Sequence, residues 1–176
     1  MRLTLLNYLK YGVWIVVFLL MGCTSHEHFN RPTSNQSGAK AVPSWCRYSA
    51  GPEALLLFYL ADTKVEVSLY SDKNSQKLYI NILSKESLAA ISDKFSILID
   101  GNKVNILGIK ESTSSHFDKA SSVDFYFSDM SIKVSGDYKD FFTIQGLEIV
   151  VDGVAYPIED ITFKKDEDTF LTPWNC

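Results

Sequence analysis

From residue 55 onward, apolar and polar positions alternate with a period of two, the mark of strands that bury one face. Val65, Val67 and Leu69 interleave with Lys64, Glu66 and Ser68, and Leu78, Ile80 and Ile82 interleave with Lys77, Tyr79 and Asn81. The stripe continues through Phe95, Ile97 and Ile99, then Val104 and Ile106, then Val123, Phe125 and Phe127, then Ile132 and Val134. It ends with Leu147, Ile149 and Val151 and with Ile161 and Phe163. Leu55 to Leu60 is an unbroken apolar run, which predicts a strand buried on both faces.

Turn and cap chemistry organises these strands. Asp100-Gly101 and Asp152-Gly153 each follow an apolar strand, and Asp-Gly suits the positive φ that a tight hairpin turn demands. Two segments predict short helices instead. Ser84 to Ile91 places Leu88 and Ile91 on one face, and Asp137 to Ile144 groups Tyr138, Phe141 and Phe142 at i, i+3 and i+4. Ser84 and Asp137 are suitable N-caps. The predicted class is mainly β (or α+β): an antiparallel sheet or two-sheet sandwich with two short helices. One arrangement is a pair of similar β-β-α-β-β halves over 63–110 and 121–165, joined by a loop at 111–121. The other is two meanders that share turn chemistry by chance.

Before residue 23 the pattern changes. Arg2 and Lys10 precede the apolar run Val13 to Met21, and no acid occurs until Glu27, the layout of a secretory signal. The run is shorter than the roughly 20 residues of a membrane-spanning helix. It ends in Leu20-Met21-Gly22-Cys23, which resembles the lipobox of bacterial lipoproteins. The resemblance implies cleavage between Gly22 and Cys23 by signal peptidase II, and acylation of Cys23. Several acyl chains together give stable membrane attachment. Thr24 in place of the Asp that resembles an inner-membrane retention signal implies an outer-membrane anchor, with the domain facing the periplasm.

Residues 24–44 are polar, rich in Ser, Asn, Pro and Gly, and without periodicity. They predict a flexible tether that would hold the domain roughly 25 Å from the bilayer. The domain organisation is therefore a signal at 1–22, lipidated Cys23 and tether over 23–44, and one β-rich domain over 45–176. With Cys23 assigned to lipid, Cys46 and Cys176 stand at the two ends of that domain, each beside a Trp. In an oxidising compartment such thiols usually pair, and a bridge closing so long a loop contributes about 5 kcal/mol in the chain-entropy picture. The alternative is one or two free thiols.

The formal charge of −4 argues against nucleic acid as a partner, since phosphate contacts need clustered Lys and Arg. Arg47 is the one arginine after residue 45, so guanidinium clamps for phosphate or carboxylate are scarce. No Walker loop, dinucleotide glycine pattern, zinc-protease helix motif or nucleophile elbow occurs. His116, with Ser115 and Asp118 nearby, reads as an exposed loop histidine rather than a base. His26 and His28 make a weak metal pair on a polar segment. Asp166-Glu167-Asp168 lacks the spacing of a calcium loop and reads as a solvated acidic face. No cofactor is implied.

Tyr59, Tyr70, Tyr79 and Tyr126 fall on polar or ambiguous phases of the strands. A row of exposed tyrosines suits a protein-binding face, while cross-strand packing on an outer sheet face is the plainer alternative. The leading functional expectation is a non-catalytic envelope lipoprotein with an accessory, pilotin-like or other protein-binding role. An inhibitor or immunity protein that neutralises a hydrolase comes second, and a small-ligand binder or a hydrolase using His116 comes third.

Overall fold

The structure, a computed structural model, describes residues 24–44, 51–72, 74–85, 87–92, 94–119 and 122–171. Gly22, Cys23, Cys46 and Cys176 lie outside the described residues, and with them the expectations of cleavage, lipidation and the disulfide. Among the described residues every regular element is a strand, and every strand pairing is antiparallel.

The largest sheet has six strands. It runs β2 (Lys40–Ser44), β3 (Gly51–Leu60), β4 (Thr63–Asp72), β5 (Ser75–Ser84), β10 (Val123–Ser135) and β9 (Ile106–Asp118). A five-stranded sheet runs β1 (Thr24–Ser34), β14 (Ile161–Leu171), β11 (Phe142–Gln145), β7 (Ser96–Ile99) and β8 (Asn102–Lys103). The third is β13 (Val154–Pro157), β12 (Glu148–Val151) and β6 (Ala90–Ile91). The apolar stripes meet in one core. Val65, Val67, Leu69, Leu78, Ile80, Ile82, Ile132 and Val134 of the six-stranded sheet pack with Ile97, Phe142, Ile144, Ile149, Ile161 and Phe163 of the other two. The two Asp-Gly turns form as the dipeptides predict. Asp100 and Gly101 have φ of 48° and 81°, and Asp152 and Gly153 have 51° and 76°.

Several expectations are corrected. Residues 24–44 are not a free coil, because β1 pairs with β14 along its whole length and β2 pairs with β3. Phe29 is buried against Gly51, so closely that a Cβ there would sit 2.5 Å from Phe29 Cγ. Buried Asn30 donates from Nδ2 to Leu69 O (2.7 Å) and Ser71 Oγ (3.1 Å), and its Oδ1 accepts from the Tyr138 hydroxyl. Ser71 Oγ in turn donates to Gln76 Oε1 (2.5 Å). These buried bonds hold the segment that composition alone marks as solvated.

The two predicted helices are also absent from the described residues. The described residues between Ser84 and Ala90 are bends and irregular backbone leading into β6, and 137–141 form a turn before β11. Asp100 explains the second case. Its carboxylate accepts from the backbone N–H groups of Lys139 (2.9 Å), Asp140 (2.8 Å) and Phe141 (2.9 Å), fixing a turn with donors that a helix start would have offered to its own cap. Tyr138 and Phe142 then fill the core while Phe141 faces out.

The apolar run at 55–60 is buried on one face only: Leu56, Phe58 and Leu60 are buried, Leu55 and Leu57 are half-buried, and Tyr59 is exposed. The segment 111–121 is mostly strand rather than loop, since β9 extends to Asp118 against β10. The two halves do not repeat in topology. Residues 123–134 form one continuous strand where 65–82 form a hairpin, and the two Asp-Gly turns lie in different sheets.

Candidate partner-binding face

One face of the six-stranded sheet covers the core and the other is open. Register defines four rows of side chains across the open face. Tyr59, Lys64, Leu83, Phe127 and Ser114 make the first, and Leu57, Glu66, Asn81, Asp129 and Ser112 the second. Leu55, Ser68, Tyr79, Ser131 and Lys110 make the third, and Tyr70, Lys77, Lys133 and Gly108 the fourth. A concavity of about 920 Å³ spans the first three rows, bounded by Lys64, Glu66, Tyr79, Leu83, Phe127 and Asp129 among others.

Three of the four singled-out tyrosines belong to this face. Tyr59 is 56% exposed and Tyr70 43%, while Tyr79 is half-buried between Ser68 and Ser131, whose short side chains leave room for the ring. Tyr126 does not join them. It pairs with Ser84 and Ser115 on the opposite face, in phase with buried Ser128, Met130, Ile132 and Val134. A single strand with a period of two cannot change faces without a bulge. Ile132 and Val134 therefore set the phase of β10 and turn Phe125 and Phe127 outward, the reverse of the stripe at 123–127 read by itself. Leu83, Asn81, Phe127 and Asp129 line the concavity, and the sequence signal for them is their place between core positions of β5 and β10.

The face is amphipathic and close to charge-balanced. On β4, β5, β10 and β9 it carries Lys64, Lys77, Lys110 and Lys133 against Glu66, Asp72, Asp118 and Asp129. Lys64 Nζ and Glu66 Oε1 are 2.6 Å apart at the rim. Acidic balance is therefore not concentrated here, which removes a motive for reading the face as a mimic for a basic enzyme cleft.

The remaining sequence candidates are placed as follows. His116 is exposed on β9 opposite Phe125, and Ser115 points to the other side of the sheet, so the two do not share a site. His28 on β1 lies 3.3 Å from Glu167, and Arg31 reaches Glu53 (2.8 Å) and Asp166 (3.0 Å). Because neighbours along a strand face opposite ways, Asp166 and Asp168 point away from Glu167. Among the described residues no group of three metal-capable side chains converges.

No known protein family, curated protein or solved structure matches the chain.

Proposed function

We propose that this chain is a lipid-anchored protein of the bacterial cell envelope whose β domain binds another protein through the open face of the six-stranded sheet. The observation that carries the reading is that Tyr59, Tyr70 and Tyr79 share one sheet face with a concavity lined by Tyr79, Leu83 and Phe127. Aromatic side chains with polar rims are what protein interfaces enrich. The anchor rests on the lipobox-like Leu20-Met21-Gly22-Cys23, and the outer-membrane, periplasm-facing placement rests on Thr24. The role is accessory and non-catalytic, with no cofactor.

Photo-crosslinking amino acids placed in the full chain at Tyr59, Tyr70 and Tyr79, and separately at Tyr126, test the face in growing cells. The expected result is a shared crosslinked envelope protein from the first three positions and not from Tyr126, which points to the other side. Equal crosslinking from all four, or none from the three, would sink the assignment. Cys23→Ser should in parallel abolish incorporation of labelled palmitate.

A further inference from the structure

The sheet edges of this protein are treated unequally. An exposed edge offers unpaired N–H and C=O groups to any passing strand, so edges are commonly shortened, bulged or interrupted by proline. Here β1 carries Pro32, β2 has five residues with Pro43 and a register shift, and β13 has four residues ending in Pro157. The other two edges, β6 and β8, are two residues each. β9 is the exception: thirteen residues, no proline, and no described strand on its far side. Three of the large apolar side chains exposed on the protein, Leu107 (59%), Ile109 (41%) and Phe117 (51%), belong to it.

We propose that β9 is a homodimer edge, on which a second copy of this chain adds its own β9 antiparallel about a two-fold axis through Thr113. The pairing of β9 with β10 is irregular next to Gly108 and regular from Gly108 to Asp118, a run whose midpoint is Thr113. Only the register centred there pairs the whole run with itself. That register sets Ile109 of each copy opposite Phe117 of the other, twice, on the face of the sheet where both are exposed. Glu111 then faces Ser115, Lys110 faces His116 and Gly108 faces Asp118, so no carboxylate opposes a carboxylate and no lysine opposes a lysine. Shifting the centre by two residues, to Glu111, sets Glu111 against itself. Shifting it to Ser115 leaves Ile109 without a partner inside the strand. A two-fold perpendicular to the sheet keeps like faces together, so the dimer joins two six-stranded sheets into one and lays their open faces side by side. This goes beyond the partner-binding reading and stands without it.

Sedimentation of the full chain in mild detergent tests it with a charge swap. The unmodified chain should run as a dimer at micromolar concentration. Ile109→Glu and Phe117→Lys each lose two apolar cross-strand contacts and should weaken the dimer about tenfold or more. The double variant sets the introduced carboxylate of one copy against the introduced ammonium of the other, twice, and should recover most of that loss. Within one chain the two positions are eight residues apart along a strand and cannot help each other. Both side chains are exposed, and unchanged far-UV circular dichroism shows that the fold is intact. A monomeric unmodified chain, a dimer indifferent to the single changes, or a double variant as weak as the sum of its parts would each overturn the proposal.

Discussion

Asn30 is a polar side chain where a solvated segment has no need of one. It is 5% exposed, and both ends of its amide are engaged: Nδ2 with Leu69 O and Ser71 Oγ, Oδ1 with the Tyr138 hydroxyl. Burial pushes the Tyr138 hydroxyl well above the usual tyrosine range, so it remains a donor throughout the working pH of the protein. Truncation takes the Asn30 acceptor from the Tyr138 hydroxyl and the Asn30 donor from the Leu69 carbonyl, and buried polar groups that lose partners cost more than the bonds themselves are worth. Asn30→Ala should therefore destabilise the protein by about 2–4 kcal/mol in chemical denaturation. If residues 24–44 were a tether, the same substitution would leave the midpoint where it is.

At the scale of elements, most strands are legible in sequence because each buries one face, and one-sided burial writes itself as alternation. β4, β5 and β12 are of that kind. β1 and β9 are not, for opposite reasons. β1 buries Phe29, Asn30 and Pro32, of which only one is a large apolar residue, and relies on hydrogen bonds with partners some forty or a hundred positions away. β9 exposes nearly every residue on both faces, so it has no stripe to read. Of the binding face, Tyr70 and Tyr79 are accessible from phase alone, whereas Tyr59 sits in an apolar run that carries no alternation to place it. Phe127 is not, because its face depends on Ile132 and Val134 further along the same strand.

The turn at 137–141 shows how a distant side chain overrides local helical spacing. The Asp100 carboxylate is lowered from its ordinary value by the backbone N–H of Lys139, then by those of Phe141 and Asp140. A carboxylate with a depressed folded-state pKa contributes stability that is fully present above its unfolded pKa and is lost as pH falls through the folded value. The contribution is therefore intact at pH 5 to 7 and fades below about pH 4. Asp100→Asn should lower the thermal midpoint at pH 7, and the gap from the unmodified chain should narrow as the pH is brought down toward 2. A gap that stays constant with pH would mean that the ionised carboxylate is not what holds the turn.

For the molecule as a whole, the strand assignment of 24–34 changes what an anchor at Cys23 would do. A coil over 24–44 would leave the domain roughly 25 Å from the bilayer and free to tumble. A strand that starts at Thr24 and pairs with β14 up to Leu171 leaves no such spacer, so acylated Cys23 would seat that end of the five-stranded sheet against the headgroups. Backbone in a paired strand is also a poor protease substrate, because cleavage requires local opening. Membranes carrying the unmodified full chain, treated with proteinase K at a level that spares the folded domain, should retain that domain in the pellet. A chain with twenty Gly and Ser residues inserted between Cys23 and Thr24 should release it under the same treatment. Release of the unmodified domain by a cut within 24–34 would show that β1 is not held in the membrane-bound protein, and the close seating would fall with it.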